Sequence, residues 1–130
     1  MQIIDANIIL RYLLKDSKKL YEQSKNIIEE ESIFIPNEIT AEVVYVLEKV
    51  YEIPREKIKE SLEELYSYEN LTFLNKEVLL KSLDYYTKNK LDYVDTLLCG
   101  YKEIEGYEIA SFDKKLVKTL KGIENQAAQE

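Results

Sequence analysis

Short apolar runs alternate with longer amphipathic ones along this whole chain, and that alternation leaves few folds open. Residues 2–5, 32–36, 71–74 and 107–112 read as four short strands rich in Ile, Leu, Phe and Tyr. Between and after them lie stretches of helical period: residues 7–14, 18–30, 37–51, 54–68, 76–88, 92–104 and 114–120. Pro36 stops the second strand, Asn37 suits the cap of the next helix, Pro54 suits a first helical turn, and Gly106 closes the helix opened by Asp92. In the 37–51 helix, Ile39, Val43, Val46, Leu47 and Val50 share an apolar face. Strands alternating with helices predict a three-layer α/β/α fold around a mostly parallel sheet. The chain reads as one domain over residues 1–123, with a polar, frayed tail at 124–130. At 130 residues and 45% apolar composition it can bury a real core.

The chain has no histidine and a single cysteine, Cys99. That removes Ser-His-Asp and Cys-His pairs, a histidine base and a Cys/His zinc cage. Carboxylate chemistry remains. Acids that converge in one pocket cannot all stay ionised unless a cation joins them, and hard, oxygen-preferring Mg2+ or Mn2+ fits best. Glycine occurs only at positions 100, 106 and 122, so there is no phosphate-cradling loop or dinucleotide fingerprint. The formal charge of −7 argues against a protein that coats nucleic acid, and leaves open an enzyme that acts on one. The opening residues carry neither a basic region nor a long apolar stretch, which predicts no signal peptide and no membrane span. With its lone cysteine, the chain reads as cytoplasmic.

Ligands of open α/β sheets bind outside the carboxyl ends of the strands. Asp5 ends the first strand, while Ser111 and Asp113 bracket the end of the fourth, so they meet if those strands are neighbours. Each acid also has a plainer role. Asp5, Asp92 and Asp113 suit helix N-caps, Asp95 gains from a positive helix end, and Glu42 suits ordinary solvent. Asn7 can cap in place of Asp5 and release it. Glu42 sits at the edge of its helix's apolar stripe, where a carboxylate faces a cleft rim. Asp92 and Asp95 share one helical face, opposite Leu91, Val94, Leu98 and Tyr101, and one acid already satisfies the cap. A hydroxyl at Ser111 beside Asp113 suits a hydrated metal.

Five segments stand in order: Ile4-Asp5-Ala6-Asn7-Ile8-Ile9-Leu10-Arg11-Tyr12-Leu13-Leu14, Ile35-Pro36, Ala41-Glu42-Val43-Val44-Tyr45-Val46-Leu47, Asp92-Tyr93-Val94-Asp95-Thr96-Leu97-Leu98 and Ser111-Phe112-Asp113-Lys114-Lys115. Together they resemble PIN-domain nucleases, specifically the VapC-type toxin ribonucleases of bacterial and archaeal toxin–antitoxin pairs. The resemblance implies a central sheet of four to five strands and metal-dependent hydrolysis of RNA phosphodiesters. It implies that Asp5, Glu42 and Asp95 hold Mg2+ or Mn2+ with Asp113 contributing, and that Asn7, Asp92 and Ser111 support them. Ala6 stands where the family commonly has threonine or serine. The implied partners are RNA, a cognate antitoxin and a second copy of the chain, with no membrane. Arg11, Lys15, Lys49, Lys114 and Lys115 are candidate phosphate contacts, each otherwise an ordinary surface cation. Two other readings compete. A Mg2+-dependent phosphohydrolase with a nucleophilic aspartate would want Asp-x-Asp, where this chain has Asn7. A PIN-like module without catalysis would be expected to lose acids that are all present here.

Overall fold

The computed structural model describes residues 1–129. The chain packs as two compact units, one from Met1 to Leu74 and one from Asn75 onward.

The first unit holds β1 (Gln2–Ile3), α1 (Ala6–Leu14), α2 (Lys18–Glu30), β2 (Ile33–Phe34), α3 (Asn37–Tyr45), α4 (Arg55–Tyr66) and β3 (Leu71–Thr72). The strands form one parallel sheet in the order β1-β2-β3, with Gln2 opposite Ile33 and Ile33 opposite Leu71. Parallel neighbours need crossover connections, and the helices supply them. The first two strands each run soon into the start of a helix. Asp5 already caps α1, and Pro36 has no N–H to offer beyond β2. Ile33 and Ile35 are buried, and with Ile9, Ile28, Val43, Ile58, Leu62 and Leu71 they make the core of this unit. Asn70 ties α2 to β3: its amide donates to the carbonyls of Ile28 at 2.6 Å and Glu31 at 2.7 Å.

The helix expected over residues 37–51 departs from expectation at both ends. Pro36 occupies the cap position, so Asn37 is the first helical residue and not the cap. After Tyr45 the helix widens into a π turn, Val46–Val50, in which the Tyr51 N–H reaches the Val46 carbonyl at 3.2 Å. A turn closed five residues apart shifts the helical phase of the residues within and beyond it. Val50 consequently leaves the apolar face on which the sequence placed it and is 64% exposed.

The second unit is helical: α5 (Lys76–Lys88), α6 (Tyr93–Glu105) and α7 (Lys114–Gln129). Asn75 caps α5 by accepting from the Val78 N–H at 3.1 Å. The start of α5 lies by the end of α6, where Asn75 donates to Glu105, so the two helices run antiparallel. Leu91, Cys99, Leu116, Leu120 and Ile123 form a buried cluster, with Tyr85, Leu98 and Ile109 packed against it. Gly106 ends α6 at φ 75°, a left-handed conformation that glycine adopts without Cβ strain.

Two expectations fail in this unit. Residues 107–112 form no strand, so the sheet has three strands and not four to five. Extended chain needs a laddered neighbour, and here the Ser111 hydroxyl instead accepts from the Asp113 N–H at 3.0 Å, closing a local turn. The polar stretch from Glu124, expected to fray, is helical as far as Gln129, and Glu130 lies outside the described residues.

Candidate functional site

In the first unit, Asp5 caps α1. Its Oδ1 accepts from the Ile8 N–H at 3.2 Å, while the residue stays exposed. One carboxylate oxygen serves the helix and the other faces solvent. Asn7, two residues further on and exposed, does not take over the cap. Glu42 lies on α3 between half-buried Ala41 and buried Val43 and is itself exposed. No hydrogen bond or ion pair engages its carboxylate among the described residues. It therefore has the stripe-edge position that its spacing indicates, and it is exposed to solvent.

In the second unit, three acids interact. Asp92 occupies the N-cap position of α6, yet its side chain makes no capping bond. Asp95 lies one turn in and is half-buried. Loss of hydration pushes its carboxyl above the usual carboxylate range, and the charges of Asp113 and Asp92 push in the same direction. Asp113 caps α7, its Oδ1 accepting from the Leu116 N–H at 2.9 Å. Asp113 thus repeats the Asp5 arrangement, with one oxygen on a helix end and one free. Ser111 is held by the Asp113 backbone, and without a strand there it does not stand beside Asp113 through the alternation the sequence suggested. Among the described residues, no three acidic side chains converge closely enough to form a ready-made cage for an ion.

The five candidate phosphate contacts divide. Arg11 is engaged twice, in an ion pair with Asp16 and as donor to the Tyr51 hydroxyl at 3.3 Å. Lys49 pairs with Glu48 at 2.9 Å. The Lys15 ammonium sits 5.4 Å from the centre of the Tyr21 ring. Lys114 and Lys115, at the start of α7, are exposed and have no acidic partner among the described residues.

Residues that sequence reasoning passed over include a tyrosine network. The Tyr12 hydroxyl donates to Glu29 at 2.6 Å, lies 2.7 Å from that of Tyr68, and its ring stacks on Tyr21. Burial and these neighbours push the Tyr12 phenol well above its usual range, so it stays a neutral donor. No helix among the described residues is long and apolar enough to cross a membrane.

Comparison with known proteins agrees over almost the full length. The sequence profile of the PIN domain matches residues 3–121, spanning both units. A VapC ribonuclease of Aquifex aeolicus (strain VF5) is 27% identical over 124 residues, covering 91% of this chain and 91% of that protein. No solved structure matches the chain.

Proposed function

The chain belongs to the PIN-domain family, and from that premise we propose that it is a Mg2+- or Mn2+-dependent endoribonuclease acting in the cytoplasm as the toxin of a toxin–antitoxin pair. The observation that carries the reading is the crowding of charge at Asp95. A half-buried carboxylate facing Asp92 and Asp113 is destabilised as an anion, and a divalent cation would relieve both the lost hydration and the repulsion. The donor set fits such an ion: it is all carboxylate oxygen, without the sulfur or imidazole that zinc or copper would favour. The relative from Aquifex aeolicus, a VapC ribonuclease matched over most of its length, supports RNA as substrate.

On this reading Asp5, Glu42, Asp95 and Asp113 would hold the ion, with Asn7, Asp92 and Ser111 supporting them. When bound, the ion would neutralise charge on the phosphodiester and make water a better nucleophile. The chain's own residues do the remainder. Asp5 and Asp113 keep fixed directions because each is tied by Oδ1 to a helix N-terminus. Asp92 has both oxygens available. With no histidine in the chain, a carboxylate or water must receive the proton of the attacking water. An antitoxin carrying Arg or Lys would compete with the ion for the same acids. Self-association into a homodimer is part of the same proposal.

The test is cleavage of RNA by the purified chain in Mn2+, with and without chelator. Wild-type protein should cut only without chelator. Glu42→Gln, which keeps size and removes charge, should lose nearly all cleavage while its circular dichroism is unchanged. Expression of the wild-type chain alone should arrest growth, and the variant should not. Full cleavage by Glu42→Gln would overturn the site assignment. RNA binding with no cleavage in any metal would favour a non-catalytic PIN module.

A further inference from the structure

The second unit has a cavity of about 500 Å3 between the end of α5, the link before α6 and the face of α7. Its lining includes Lys90, Lys115 and Lys118 over a floor of Leu91 and Ile123, with Tyr85 at one side, and contains no acid. The chain carries 25 acidic residues against 18 basic ones, so three lysines lining one cavity with no acid among them run against its composition.

The pairing pattern sharpens the contrast. Lys81, Lys102, Lys49 and Lys57 each reach a carboxylate. Lys90, Lys115 and Lys118 are exposed and have no ion pair among the described residues. For Lys115 and Lys118, placement on α7 also gains nothing from the helix dipole. The first turn of α7 contains no acid and two lysines, Lys114 and Lys115, at the end of a helix dipole that repels cations. Lys118 shares a helical face with Lys115, three residues before it. Three lysines without an ion-pair partner around one cavity favour an anion there.

Position gives the anion an identity. Lys90 and Leu91 directly precede Asp92, and Asp113 directly precedes Lys114 and Lys115. The cavity lining therefore comes within two residues of Asp92 and of Asp113 along the chain. We propose that this cavity is a docking site for a backbone phosphate of the RNA, flanking the phosphate that is cut, with Lys90, Lys115 and Lys118 as its contacts. The inference rests on the nuclease reading and assigns to it residues that the reading leaves unused.

The experiment keeps the full chain in chelator and titrates it with a fluorescent single-stranded RNA at several salt concentrations. Changing Lys90, Lys115 and Lys118 together to Gln should weaken binding roughly tenfold at low salt. It should also flatten the slope of log affinity against log salt by roughly 0.7, the contribution of one neutralised phosphate on a single strand. The same three positions changed to Arg should keep the slope. A control with Lys18, Lys19 and Lys25 changed to Gln makes the same change in net charge and should leave the slope as in wild type. In Mn2+, the Gln triple variant should raise KM and leave kcat nearly unchanged. An unaltered slope in the Gln triple variant, or an equal loss in the control, overturns the docking site even where RNA is cut normally. The reverse pattern, a flattened slope with wild-type protein that never cuts RNA, sinks the nuclease reading and keeps the site as an RNA contact.

Discussion

Cys99 illustrates how far one residue's chemistry is set by its neighbours. It is fully buried in the cluster of α6 and α7, and burial, followed by the charge of Asp95, pushes its thiol from 9.0 up to about 11. The thiolate is the reactive form, so the folded protein should resist iodoacetamide at pH 8, while the chain unfolded in urea reacts readily. The raised value also fixes a sign. The thiol's contribution to stability is complete below pH 9, where folded and unfolded chains both keep the proton, and it is lost as pH rises through about 11. Denaturant titrations between those limits should therefore show stability falling with pH, and Cys99→Ala should make the fall shallower. Rapid labelling of the folded protein at pH 8 would contradict the burial argument.

Among the elements, α5 and α6 come into tight contact at Gly100. A Cβ built there would lie 2.6 Å from the Val78 carbonyl oxygen and 3.3 Å from Ser82. Two effects compete in Gly100→Ala. Removing a helical glycine gains roughly 0.5–1 kcal/mol, whereas overpacking costs roughly 1–3 kcal/mol. Overpacking should win, because the obstacle is backbone and cannot rotate away. Gly122 on α7 is the contrast: a Cβ there meets nothing within 4 Å, so Gly122→Ala should stabilise by roughly 0.5–1 kcal/mol. Thermal melts of the two variants should move in opposite directions. A Gly100→Ala protein that melts with the wild type would mean that the helices can separate without cost.

For the molecule as a whole, carboxylate crowding and metal binding should both appear in stability. Asp95 is harder to ionise in the folded protein than in the unfolded chain. The ion-free fold therefore loses stability as pH rises from the ordinary carboxylate range through the raised value. Asp95→Asn should remove that loss and raise the melting temperature at neutral pH without metal. Millimolar Mn2+ should raise the wild-type melting temperature through binding linkage, which adds roughly 2.7 kcal/mol of stability at one hundred times the dissociation constant. The same addition should do less to Asp95→Asn. A wild-type melting temperature indifferent to Mn2+ would remove the metal from the proposal.

The amino-acid order by itself determined what local forces control. The helices 18–30 and 76–88 are read at their observed limits, because periodicity and capping act within a turn or two. The helix-end positions of Asp5, Asp92 and Asp113 were legible for the same reason, as was the alternation that makes the first unit a parallel α/β sheet. Three outcomes needed the tertiary structure. Residues 107–112 have strand-like composition but no ladder, since strand pairing depends on a distant partner that periodicity cannot report. The π turn moved Val50 off its stripe through a change of helical phase that no residue type announces. Above all, Asp113, distant in sequence, acts on Asp95 beside its helical neighbour Asp92, and Lys90 joins Lys115 and Lys118 around one cavity. Charges interact through space, so only the packed chain decides which acids repel and which lysines stand without a partner.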